Sequence, residues 1–396
     1  MIHHHNPLSP PERRALMVSR KSLAIAPFLV MDVLDRAQGI ERAGKRVIHL
    51  EVGEPDFDTP EVVKEAAIRA LKEGKTHYTH SMGLLELREA ISEHYWNCYH
   101  ARVSPDQVLI MPGSSAAMQL AFSALLDEGD EVILSDPGYA CYSNMISFHD
   151  GAPLAVEIFE EEGFQYSPSA IARKLSPKTK GIMINSPANP TGMVLSPERM
   201  KEIARLDCFL LSDEIYHGLT YGEKAHSVFE FTDRAFVFNG FSKLYAMTGW
   251  RLGYVIAPAE FVRPMQKIQQ NFFISANAFV QWGGVAALRE TAADVASMVA
   301  LYDQRRCFMI QGLRKLGFGI MSEPDGAFYV FANAKRFGSD SLRLSMDILE
   351  SVQVGVAPGI DFGVNGEGYL RFSYANSMEN IGEGLERLTR YLEMRL

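Results

Sequence analysis

Residues 208–216 read "CFLLSDEIY", an apolar run that ends abruptly in two acids. Short and bounded by turn residues, it reads as a strand buried on both faces. An acid placed directly after a buried run is costly unless something meets it, which makes Asp213 the residue to explain. Four further runs share this texture: "QVLIM" (107–111), "EVILSDP" (131–137), "GIMINSP" (181–187) and "AFVFNGF" (235–241). Helical periods separate them, among them "EVVKEAAIRALKEG" (61–74), which stops at Gly74. Alternation of this kind predicts an α/β core, a mainly parallel sheet sandwiched by helices. Beyond residue 285 the texture shifts to a long helical stretch (283–317) and short strands such as "GAFYVFA" (326–332) and "YLRFSY" (369–374). The expected organisation is an N-terminal segment over 1–55, a large domain over 56–289 and a smaller α+β domain over 290–396, to which the N-terminal segment contributes.

Composition narrows the partners. A chain of 396 residues is long enough for two domains that share a cleft. Its net charge of -9 argues against nucleic acid or an anionic membrane as a partner. Cys98, Cys141, Cys208 and Cys307 are widely spaced with no CxxC pair, so they read as buried thiols of a reducing, cytoplasmic compartment. The stretch "SRKSLAIAPFLVMDVL" (19–34) opens like an export signal. Asp32 interrupts it, however, no small-residue cleavage site follows, and Val30, Leu34 and Ala37 continue at helical spacing, so a buried amphipathic helix is expected. No stretch has the length of a membrane-spanning helix. His3 to His5 lie in a Pro-rich tail and read as a disordered end, so no metal site is expected. There is no internal repeat.

In an open α/β sheet, ligands bind beyond the carboxyl ends of the strands, so what each run delivers there matters most. The first leads into "PGSSAAMQLAF" (112–122), where Gly113 permits a tight turn and Ser114 and Ser115 open a helix. Its positive end can cradle a phosphate, although alone the motif is equally a plain capped helix. The second delivers Tyr139, a flat ring able to stack on a flat ligand or simply to pack. The third runs into "SPANPTG" (186–192), whose prolines and glycine hold Asn189 as a fixed amide, or serve only as turn chemistry. The fourth ends in Asp213, with Tyr216 close behind; a protonated ring nitrogen is one partner for that acid, a salt bridge or a helix cap another. The fifth opens into "NGFSKLYAMTGWR" (239–251), which holds Lys243 among small residues and sets Arg251 eight positions on. A desolvated amine can form an imine with an aldehyde, and a guanidinium fork suits phosphate. Cradle, ring, amide, acid, amine and fork together match pyridoxal 5'-phosphate.

With these residues in place, the chain resembles the fold-type I aminotransferases of the aspartate aminotransferase superfamily, class I/II. The resemblance spans nearly the whole length through "GEPDFDTP" (53–60), "HYTHSMGLLELREAI" (77–91), "NPTG" (189–192), "DEIY" (213–216), "FSKLYAMTGWRLGY" (241–254) and "YLRFSYA" (369–375). It implies a seven-stranded large-domain sheet and a homodimer with active sites at its interface. It also implies that Lys243 carries the cofactor and shuttles the proton, that Asp213 pairs with the pyridinium, and that Asn189 and Tyr216 donate to the phenolate oxygen. Tyr139 resembles the stacking aromatic; Ser114, Ser115, Ser242 and Arg251 resemble phosphate ligands; Tyr78 resembles a tyrosine that reaches the neighbouring subunit's phosphate. Arg371 matches the arginine that forks the substrate α-carboxylate, with the backbone of Gly53 beside it. One departure stands out: Gly240 occupies a position where relatives have Ser or Thr, which removes one phosphate hydroxyl.

The implied reaction moves an amino group between an L-amino acid and a 2-oxo acid such as 2-oxoglutarate or pyruvate. A lyase or synthase would keep the same cofactor residues and divert the carbanion. The segment before Gly53 is too short for an added DNA-binding domain, and a noncatalytic protein would have no use for Lys243 beside Asp213 and Arg371. Some aspartate-specific relatives carry lysine at the position of Ser115, and the apolar "AIAPF" (24–28) points to neutral or hydrophobic side chains.

Overall fold

The computed structural model describes residues 18–395, so His3 to His5 lie outside the described residues. A short helix, Arg20–Ala24, leads to the amphipathic helix expected from the sequence, Leu29–Arg42, which turns Val30, Val33, Ala37 and Ile40 inward at helical spacing. Leu34 lies on its half-buried flank. Both carboxylate oxygens of Asp361 accept from the first turn of this helix, from Leu29 N at 2.9 Å and Val30 N at 3.1 Å. An acid there satisfies orphan amides and complements the helix dipole. Strand β1 (Ile48–His49) follows, then helices Glu61–Lys72 and Leu85–Tyr99. The first of these ends where Gly74, at φ +72, lets the chain turn away.

The strands β2 (Val108–Met111), β3 (Glu131–Asp136), β4 (Ala152–Glu157), β5 (Thr179–Asn185), β6 (Phe209–Asp213), β7 (Ala235–Gly240) and β8 (Gly253–Ile256) make one seven-stranded sheet. Its order is β2-β8-β7-β6-β5-β3-β4. Strand β8 runs antiparallel to β2 and β7, and every other pair is parallel. The carboxyl ends of β3, β5, β6 and β7 therefore open on one edge. The five runs singled out in the sequence are five of these strands. The other two, β4 and β8, lack the same signature: β4 has exposed positions along its length, and β8 follows the loop of Lys243 and Arg251 directly, with no helical period to set it apart. One face of the sheet is covered by helices Ser114–Leu125 and Ala259–Phe272, with Phe122, Met118 and Met265 in the packed layer. The other faces helices Glu61–Lys72, Leu85–Tyr99 and Ala278–Glu290, and its core continues into the C-terminal part through Tyr302 and Phe328.

The remaining chain starts with the long helix Ala292–Lys315 and carries an antiparallel sheet, ordered β11 (Ala357–Pro358), β12 (Tyr369–Ser373) and β9 (Tyr329–Asn333). Helices Ser341–Val352 and Met378–Glu393 pack beside it, and β10 (Val354–Gly355) pairs in parallel with β1, tying the N-terminal segment to this part. The expectation of four buried thiols needs correcting. Only Cys208 is buried; Cys98 and Cys141 are half-buried, and Cys307 is exposed on the long helix. No described helix is long and apolar enough to cross a membrane.

Backbones approach closely where β8 passes the start of helix Ser114–Leu125. A Cβ on Gly253 would lie 2.6 Å from both Gly113 C and Ser114 N, and backbone cannot give way as a side-chain tip can. Gly253→Ala is therefore expected to cost roughly 2–4 kcal/mol in urea unfolding. Gly129→Ala, at φ +80 with open space around it, should cost only about 1 kcal/mol. Equal losses for the two variants would contradict the close approach.

Candidate active site

The carboxyl edge of the sheet opens into a cavity of about 390 Å³. Gly53, Ser114, Ser115, Tyr139, Asn189, Asp213, Tyr216, Ser242, Lys243, Arg251 and Arg371 all line it, so eleven of the twelve residues singled out in the sequence meet there. The twelfth, Tyr78, is 80% exposed and does not line the cavity.

Parallel register builds the floor. It pairs Asn185 at the end of β5 with Asp213 at the end of β6. Asn185 Nδ2 donates to the Asp213 carbonyl at 3.1 Å, and its Oδ1 accepts from Asn189 N at 2.7 Å. Asn189 is thus held from below, while Gly192, at φ +71, presses its loop against Pro324 and the Tyr329 carbonyl, leaving no room for a Cβ. The Asp213 side chain is 4% exposed, and its hydrogen-bond donors are Tyr142 Oη at 2.6 Å and Ile215 N at 3.2 Å. Burial pushes its carboxyl up to about 6, and those two donors pull against that. Among the described residues no cation forms an ion pair with it. Glu214 next in sequence faces the other way, as alternation along a strand requires. It accepts from Tyr95 Oη, Ser227 Oγ and Val228 N, each at 3.0 Å, and burial raises it to about 7.

Lys243 follows the end of β7, and its Nζ donates to the Gly53 carbonyl at 2.5 Å. Burial lowers its amine to about 8; Glu54 opposes the shift, while Arg371 and Arg251 add to it. Arg251, at φ 53, packs its guanidinium against Gly113, where a Cβ would come within 2.7 Å of Nη2. With Ser114, Ser115 and Ser242 beside it, this end of the cavity combines a helix N-terminus, hydroxyls and a cation, the requirements of an anion site. The hydroxyl missing at Gly240 has a steric counterpart: a Cβ there would lie 3.0 Å from the Leu252 carbonyl. At the opposite end, Arg371 is buried on β12, donating through Nη1 to Asn189 Oδ1 at 2.9 Å and through Nη2 to the Glu51 carbonyl. Its guanidinium lies 4.4 Å from the Tyr329 ring centre. The Tyr329 hydroxyl is 2.7 Å from that of Tyr216.

Tyr142, Asn185 and Tyr329 escaped the sequence reading. Tyr142 sits three residues beyond Tyr139, and Asn185, like Asp213, is a polar residue closing an apolar run. Tyr329 had no such signal, being one aromatic among others in "GAFYVFA". Phe28, Val30, Met31, Leu34 and Met118 form an apolar wall, with Phe28 edge-on to Tyr139 at 6.1 Å.

Known proteins carry the same architecture. The family model for aminotransferase class I and II matches residues 45–388. A (5-formylfuran-3-yl)methyl phosphate transaminase of Methanocaldococcus jannaschii is 43% identical over 95% of this chain and 100% of that protein. An aspartate aminotransferase of Pyrococcus horikoshii is 38% identical over 96% of this chain and 99% of its own length. Among solved structures, aspartate aminotransferase from Thermus thermophilus with maleate superposes with a TM-score of 0.91 at 38% identity, covering 94% of this chain and 99% of that one. A Methanococcus jannaschii protein described as similar in its active site to kynurenine aminotransferases gives 0.88 at 44% identity, covering 95% and 100%.

Tyr142→Phe removes the hydroxyl that favours the ionised form of Asp213. In protein freed of small molecules the midpoint of that carboxyl should move up from about 6, followed by carbon-13 NMR of labelled aspartate. An unchanged midpoint would mean that Tyr142 has no hold on it.

Proposed function

This chain belongs to the class I and II aminotransferases, pyridoxal 5'-phosphate enzymes, and we propose that it moves an amino group between an L-amino acid and a 2-oxo acid, 2-oxoglutarate or pyruvate. The observation that carries the reading is the buried Asp213 carboxylate, bonded to neutral donors, in the same cavity as a desolvated lysine. The residues present fit the cofactor: an acid for a ring nitrogen, an amine for an aldehyde, and a glycine-floored helix start with a guanidinium for a phosphate. When bound, the cofactor supplies an electron sink conjugated to the substrate's amine.

The chain's own groups do the rest. Asp213 keeps a proton on the ring nitrogen by offering it a buried negative partner. Asn189 and Tyr216 would donate to the phenolate oxygen, and Tyr139 would offer its face to the ring. Ser114, Ser115, Ser242 and Arg251 hold the phosphate. Lys243 Nζ would take the proton from the substrate Cα and return it on the far side of the substrate nitrogen; an amine lowered to about 8 is poised for both steps. Arg371, aided by the Gly53 backbone, forks the α-carboxylate and so aims the Cα hydrogen at Lys243. The apolar wall from Phe28 to Leu34 supports neutral or hydrophobic donors, since each lining cation already has a role.

The reading extends to a cytoplasmic homodimer with Tyr78 reaching the neighbouring site. Its support is an exposed apolar group at the end of helix Ala259–Phe272, where Phe272 is 76% exposed, together with Tyr78 itself and four free thiols. The domain division at residues 55 and 289 is part of the same proposal.

Two outcomes are expected. Lys243→Ala should lose transamination by at least about a thousandfold while still binding cofactor, and borohydride should fix no label on that variant. In a screen of amino donors against 2-oxoglutarate and pyruvate, followed by the cofactor's absorbance, neutral or hydrophobic amino acids should outpace aspartate. Full activity of the variant, or a clear preference for aspartate, would contradict the corresponding assignment.

A further inference from the structure

Residues 51–54 touch two working groups, Arg371 and Lys243, and the cavity-lining Thr248. The Glu51 carbonyl accepts from Arg371 Nη2, the Gly53 carbonyl from Lys243 Nζ, and Glu54 Oε1 from Thr248 Oγ1. The stretch thereby ties the guanidinium and the amine to carbonyls two residues apart. Strand pairing fixes it upstream, through Leu50 N to the Gly355 carbonyl at 3.0 Å and Ser373 N to the Leu50 carbonyl at 2.7 Å.

The Glu51 side chain has no part in the site described so far, yet it is 0% exposed. Its Oε1 accepts from His49 Nδ1 at 2.7 Å, and its Oε2, also buried, has no hydrogen-bond partner. The carboxylate occupies a notch that exists because residue 355 is glycine, where a Cβ would lie 2.1 Å from Oε2. His49 is thus the ionic partner of this carboxylate among the described residues. The other ring nitrogen of His49 lies 3.2 Å from Glu41 Oε1.

We propose that the His49–Glu51 pair is a positioning device for Arg371, holding residue 51 so that its carbonyl aims the guanidinium at the substrate α-carboxylate. The inference rests on the role assigned to Arg371 under Proposed function. Its logic is that one residue supplies both the buried carboxylate and the carbonyl. Without a cation beside it, a buried carboxylate with one unpartnered oxygen is strongly disfavoured, and moving toward water relieves it. Such a movement drags the carbonyl away from Arg371. The hydrogen bond to Glu51 raises His49 to about 9 against the effect of burial, with Glu41 contributing, so the ring is charged at neutral pH. Among the described residues no further ion pair reaches the ring: β10 offers Val354 and Gly355, helix Met378–Glu393 sets Gly384 against Ile48 and Leu50, and its Glu383 pairs with Arg387 and Arg46.

The test uses the holoenzyme and four variants, reading KM for donor and acceptor, kcat, the cofactor's absorbance and the melting temperature. His49→Ala should raise both KM values about tenfold with kcat within about twofold, because both substrates present a carboxylate to Arg371. Adding Glu51→Gln to His49→Ala removes the lone charge and should bring KM back to within about threefold of the parent. If His49→Ala does not fold, His49→Gln serves. The parent's KM for the 2-oxo acid, whose carboxylate does not titrate there, should rise as pH passes about 9, and that of His49→Gln should stay flat across the same range. A melting temperature that falls with KM unchanged, KM and kcat lost together, no rescue by the second substitution, or a pH profile shared by parent and His49→Gln would overturn the proposal. Arg371→Gln separates the two levels. If it leaves KM unchanged, the reading of Arg371 fails; if it raises KM while His49→Ala does not, only the role of the pair fails.

Discussion

A carboxylate held away from water at the end of a central strand is the constraint around which this site is organised. Burying Asp213 works against its charge, and the fold answers with one phenol and one amide, which leaves the carboxylate without a cation of its own. That imbalance is what suits it to a cationic ring nitrogen. The register that sets Asn185 opposite Asp213 carries the same constraint sideways, because Asn185 in turn accepts from the backbone N–H of Asn189, whose side-chain oxygen meets Arg371. A chain of hydrogen bonds thus runs from the ring partner to the residue assigned to the substrate carboxylate.

The phosphate end is built differently, from the absence of side chains. Gly113, Gly240 and Gly253 sit where backbones or a guanidinium come within contact distance of any Cβ, so helix start, strand β8 and Arg251 close on one small volume. Seen this way, Gly240 is less a lost ligand than a packing requirement: a serine there would have to fit against the Leu252 carbonyl and the Gly253 backbone. Rigid main-chain donors hold an anion with little conformational entropy to lose.

Much of this was legible in the sequence because each central strand announces itself as an apolar run and delivers its functional residue at the end. Asp213, Asn189, Lys243 and Ser114 follow from that rule and from turn chemistry. The strands β4 and β8 were not legible: a strand with exposed positions lacks the continuous apolar signal, and β8 runs on from an irregular loop with no helix before it to mark its start. Tyr329 and Tyr142 were hidden for another reason, since an aromatic at helical or strand spacing looks the same whether its hydroxyl meets another phenol, a carboxylate or nothing. The thiols were misjudged because free cysteine is usually buried, and composition says nothing about which face of a helix Cys307 occupies.

The helix that walls the cavity near the amino terminus is capped by an acid 332 positions later in the chain, and the first strand pairs with one some 300 positions on. A nascent polypeptide emerging from the ribosome therefore has no native resting place for this helix until Asp361 has followed it out. Until then Val30, Val33, Ala37 and Ile40 wait uncovered, and the pocket cannot be finished. Loop closure over such separations has to precede the contacts that reward it, so the pocket belongs to the slow part of the fold's assembly.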